Sequence, residues 1–180
     1  MYKAYAGIGS TKTPTDVCHK MYHLGYALAW YGYTLRSGGA PGADKAFEAG
    51  TDRYIQEKAA DPRIKEIFLP WMGFEGNPSK LLPNEKAYEV ASRFHPVWDK
   101  LKSGQRAFHA RNAQQVLGEN LDNPVSFVVC WTPGGRLVGG TAQALRIATA
   151  RQIPVFNLAV DGAEQEIVKH IRKINDLRSQ

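Results

Sequence analysis

Three glycine-rich turns hold the residues best suited by type to do chemistry. The first comprises Gly7, Gly9 and Ser10, and the second Ser37, Gly38, Gly39, Gly42 and Asp44. The third comprises Thr132, Pro133, Gly134, Gly135, Gly139, Gly140 and Thr141. Glycine has no Cβ, so backbone N–H groups in such turns approach a ligand closely, and the first turn of a following helix adds donors that have no intrahelical partner. Amides converging on one point make an anion site, suited to a phosphate or a carboxylate. The hydroxyls of Ser10, Ser37 and Thr141 would add donors and Arg111 a charge, while Asp44 is either a helix cap or an acceptor for a ribose hydroxyl.

Each turn lies between a short apolar run and a helical pattern. Residues 3–8, 33–36, 66–69 and 126–130 read as strands, the last buried on both faces, and residues 153–158 close the pattern. A helix should start with Thr13 as cap and Pro14 in its first turn, carrying Val17, Met21, Leu24 and Leu28 at helical spacing to a stop at Gly32. Others follow around Phe47, Ala87 to Phe94, residues 105–117, Thr141 onward, and Ile167 to Ile174. Strands alternating with helices give an α/β three-layer fold with a parallel sheet. Right-handed crossovers then bring all three turns to one edge of it. The chain reads as a single domain over 1–180, interrupted by an irregular excursion at 70–83, where Trp71 and Phe74 either stack on a base or fill the core.

A net charge of +6 favours phosphorylated or polyanionic partners, and the densest basic segment, with Lys100, Lys102, Arg106 and Arg111, would offer them an exposed face. Cys18 and Cys130 lie far apart without metal-like spacing and read as reduced core thiols. His19 and His23 share a helical face, but no third ligand accompanies them, so neither a metal nor a cofactor is expected. No apolar run reaches the roughly 18 residues that span a bilayer, which predicts a cytoplasmic protein without a membrane partner.

The ordered set of Gly9-Ser10, Ser37-Gly38-Gly39-Ala40 with Gly42 and Asp44, Arg111-Asn112, the strand ending at Cys130, and Gly140-Thr141-Ala142 resembles the core of the DNA-processing recombination mediator family. That family belongs to a superfamily of nucleotide-binding domains that also holds cytokinin-activating nucleotide phosphoribohydrolases and sensors of nucleotide signals. The resemblance implies a Rossmann-like fold, a role for Asn112 beside Arg111, and self-association into homo-oligomers. The leading expectation is a protein that binds a nucleotide or another phosphorylated small molecule. Single-stranded DNA is the alternative partner, although Thr11, Pro41 and Ala113 stand where the mediators often carry cations. A nucleoside monophosphate N-glycosidase is the second alternative. Pro133-Gly134-Gly135 and Gly140-Thr141 resemble the phosphoribohydrolase motif, but Gln143 occupies the place of its catalytic glutamate, which leaves Glu48 as the candidate carboxylate.

Overall fold

A computed structural model describes residues 3–176. Five strands, β1 (Ala4–Gly9), β2 (Thr34–Ser37), β3 (Lys65–Ile67), β4 (Phe127–Trp131) and β5 (Val155–Asn157), form an all-parallel sheet in the order β3-β2-β1-β4-β5. The helices are α1 (Thr15–Trp30), α2 (Ala43–Lys58), α3 (Glu85–Phe94), α4 (Ser103–Leu117), α5 (Thr141–Ala150) and α6 (Ala163–Asp176). The architecture is α/β and Rossmann-like. No helix among the described residues is long and apolar enough to cross a membrane.

Side-chain alternation divides the core into two layers, because successive residues of a strand face opposite sides of the sheet. Ala4, Ala6 and Ile8 of β1, with Val128 and Cys130 of β4, pack against the alanine-rich faces of α3, α4 and α5. Tyr5, Phe127 and Val129 pack on the other side against Met21 and Leu28 of α1, Phe47 of α2 and Ile167 of α6. Small residues let α1 and α2 cross closely. A Cβ on Gly50 would lie 1.9 Å from the Tyr22 carbonyl oxygen, and one on Gly25 2.5 Å from that of Phe47. Burial pushes the Cys130 thiol up to about 12, so it is an inert core residue.

Two local expectations need revision. Thr13 does not cap α1: Pro14 stands at the cap position without a side-chain bond, and the Thr13 hydroxyl instead donates to the Ser10 carbonyl at 2.6 Å, fastening the first turn. The 70–83 excursion is irregular, as its composition predicts, but it is anchored by a bridge between Phe68 and Leu81 and by one tight turn at Phe74–Gly76.

Candidate functional site

The sheet order reverses between β1, which leads outward to β2, and its other neighbour β4. The connections leaving β1 and β4 run to opposite faces of the sheet at such a switch point, α1 to one and α5 to the other, and leave a crevice at the carboxyl ends of the strands. A cavity of about 740 Å³ opens there. Ile8 of β1 and Ala144 of α5 line it, with Gly9 to Lys12, Ala40, Pro41 and Gly139 to Thr141 at the turns that form its rim. Helix α4, with Phe74 and Glu75 from the excursion, walls it.

Specific contacts hold the three turns together. The Ser10 amide donates to the Trp131 carbonyl at 3.2 Å, joining the turn after β1 to the end of β4. Gly42, at φ +80, brings the second turn so near the first that a Cβ would sit 2.7 Å from the Ser10 carbonyl oxygen. Asn112 Nδ2 donates to the Gly140 carbonyl at 2.8 Å, which ties the third turn to α4. Asn112 thus shapes the rim while also lining the cavity. Helix α5 begins at this rim, and no side chain caps it.

Beneath the second turn lies a buried ion pair. Arg111 Nη2 donates to Asp44 at 2.7 Å and Arg111 Nε to the Phe68 carbonyl at 3.2 Å, and the guanidinium rests near the rings of Phe74 and Phe108. Its seat is the missing side chain of Gly38, where a Cβ would stand 1.8 Å from Arg111 Nη2. Burial raises the Asp44 carboxyl above its ordinary range, and the adjacent guanidinium pulls the other way. Arg111 is therefore buried rather than part of an exposed basic face with Lys100 and Lys102, because its charge is held by Asp44. Asp44 is correspondingly neither a free ribose acceptor nor the side-chain cap of α2.

Several residues expected at the site lie elsewhere. Gly7 is inside β1, where a Cβ would press on the Phe47 ring at 2.7 Å, and the Ser37 hydroxyl donates to the Gly7 carbonyl at 2.7 Å. Both serve strand packing. Gly39 is buried against Leu69 and Ile67, and Thr132 turns aside to accept from Asn157 Nδ2 at 2.7 Å. Gly134 and Gly135 do not line the cavity: a tight turn at Pro133–Gly135 sets Gly135 against Val160. Glu48 also lies outside it, held by Lys65 at 3.0 Å and Asn77 at 3.2 Å, and this removes the basis for a catalytic role. Gln143 is buried and donates to the Ala91 carbonyl on α3 at 2.8 Å. No group of three or more His, Cys, Asp or Glu side chains that could hold a metal occurs among the described residues, and His19 and His23 are exposed.

The structure adds Lys12, Phe108, His109 and Gln115 to the site. Phe108 meets Phe74 edge to face at 5.4 Å, with Trp71 packed on both rings. Burial and the neighbouring His95 ring, 4.3 Å away, hold the His109 imidazole below its usual range. Two buried polar atoms of these lining residues, His109 Nδ1 and Gln115 Nε2, have no hydrogen-bond partner. The available signal was polar residues recurring at 105, 109, 112 and 115 on a helix that is fully buried from 110 to 117. No family model, curated protein or solved structure matches the chain.

Proposed function

We propose that the chain binds a phosphorylated nucleotide in the crevice between β1 and β4, with the phosphate at the rim. The carrying observation is the convergence of the Ser10 and Gly139–Thr141 turns and the uncapped start of α5 on one open cavity, with Lys12 at the same edge. Unpaired amides at a helix start favour an anion, and the size of the cavity falls within the usual range of small-molecule sites. A hydrogen bond to a charged group contributes about 1.5–3 kcal/mol, so four at about 2 kcal/mol each match the roughly 8 kcal/mol of micromolar binding before ordering costs. The aromatic wall of Phe74 and Phe108 supplies an apolar surface for the rest of the ligand.

Gly140→Asp tests this reading cleanly. Gly140 has φ −62, and an added Cβ meets nothing within 4 Å, so the variant folds while setting a carboxylate among the amides. Calorimetric titration with nucleoside monophosphates should show affinity falling at least about ten-fold, with a similar loss for Lys12→Glu. Unchanged affinity in both variants would refute the placement of the phosphate.

The single-stranded DNA alternative draws support from Trp71, which is 45% exposed beside the aromatic wall and offers a stacking platform. Such binding should weaken steeply with salt, whereas a mononucleotide held by amides should not.

A further inference from the structure

Helix α4 lines the cavity along its length, so the depth of each of its residues is set by the helix rise. Asn112 is level with the rim, since it bonds the Gly140 carbonyl. Gln115 lies one turn further along α4, as Ala144 lies one turn further along α5, and Ile8 immediately precedes the first turn at the end of β1. These three residues therefore form the bottom of the cavity, about 5 Å below the rim. Gln115 is only 2% exposed, and its amide nitrogen has no partner. An unpaired buried donor is costly, and a ligand that brings an acceptor to it removes that cost.

The acceptor cannot be the phosphate. A charged group at this depth would face two aliphatic side chains and one neutral amide, whereas the rim offers it several N–H groups and Lys12. An uncharged planar ring bearing a carbonyl or a ring nitrogen satisfies both features of the floor: its faces cover Ile8 and Ala144, and its edge receives the Gln115 N–H.

We infer that the ligand enters ring-first, with its nucleobase on the floor and its phosphate at the rim, and that Gln115 determines which base is accepted. This inference rests on the nucleotide reading above. A site built around a polar group discriminates strongly against a ligand that leaves that group unpaired.

The test is calorimetric titration of the full chain with the four common nucleoside 5′-monophosphates, ribose 5-phosphate and inorganic phosphate. One nucleotide should bind about ten-fold more tightly than ribose 5-phosphate and than the least favoured of the four nucleotides. Gln115→Met, of similar length but without the amide, should abolish that preference among the nucleotides. Gln115→Glu, which replaces the donor with an acceptor, should do the same. If ribose 5-phosphate binds wild type as tightly as every nucleotide, or if a folded Gln115→Met retains the preference, the inference is overturned while phosphate binding at the rim stands. If none of the ligands binds, both readings fail. Should Gln115→Met not fold, the wild-type comparison with ribose 5-phosphate still decides.

Discussion

Gly38→Ala should unseat a charge without touching it. The backbone at Gly38 does not lie in the left-handed region, so alanine brings no backbone strain, but its Cβ would stand 1.8 Å from Arg111 Nη2 and 2.3 Å from Cζ. The guanidinium must leave its seat. Asp44, 2% exposed, then keeps the 3.4 Å bond from the Ala40 amide and the interaction with the Gly9 backbone but no opposite charge. Stranding one member of a buried ion pair costs about 3–5 kcal/mol, against a typical stability of about 5–15 kcal/mol, so the variant should fold but be strongly destabilised. The cost should also depend on pH. A stranded carboxyl has its folded pKa raised above the unfolded value, so the native state binds the extra proton, and stability falls as pH rises from the unfolded value through the folded one. Urea unfolding followed by tryptophan fluorescence at several pH values measures this. Gly140→Ala, with open space around its Cβ, serves as the control and should stay within about 0.5 kcal/mol of wild type. Because Gly38→Ala acts by displacing Arg111, adding it to Arg111→Ala should cost almost nothing further. Additive losses, or a loss below about 1 kcal/mol for Gly38→Ala alone, would refute the seat.

Two further outcomes follow from packing and titration. Gly50→Ala should destabilise by about 1–3 kcal/mol despite the better helix propensity of alanine, because the Cβ meets the Tyr22 backbone, which cannot swing aside; a thermal melt showing a gain would contradict this close crossing. The His95, His109 and His170 imidazoles are all held below their usual range, chiefly by burial. The native state therefore binds fewer protons than the unfolded chain below pH of about 6.5, and stability should drop as the pH falls through that value. Denaturation at pH 5.5 and 7.5 checks the sign, and NMR titration of His109 checks the site.

The meeting of the three turns was legible because it depends only on parallel strands and right-handed crossovers, both evident from the alternation of apolar runs and helical patterns. Which glycines face the cavity was not. Gly38 is bare because Arg111, remote in sequence, lies over it, and Gly42 because Ser10 does. Such contacts arise between elements, and a local pattern cannot distinguish them from ligand clearance. Gly7 was more accessible to reasoning: it alternates with Tyr5 toward the Phe47 side of the sheet, so its missing Cβ serves packing. Glu48 follows Phe47 in α2, but one residue along a helix is about 100° of rotation, enough to aim Glu48 at Lys65 on β3 and away from the crevice. The α4 stripe ending in Gln115 was ambiguous in the same way. Polar residues at helical spacing ordinarily mark a solvated face, and only its burial and the covering excursion reveal an interior wall.

The distribution of charge bears on what the cavity can select. The chain as a whole carries +6, yet the cationic side chains that line the cavity, Lys12 and Arg111, are matched in number by Asp44 and Glu75. Arg111, the obvious phosphate ligand by residue type, is already paired. On the proposed function, an anion at the rim would be held by oriented amides, whose fields fall off within about one helical turn, more than by net potential. Such a site rewards a single well-placed phosphate and gains little from a long polyanion, which needs a run of unpaired cations to displace its counterions. The recruitment of Arg111 into an interior pair thus favours the proposed recognition of one small ligand by shape and hydrogen bonding over the alternative of backbone-tracking contacts.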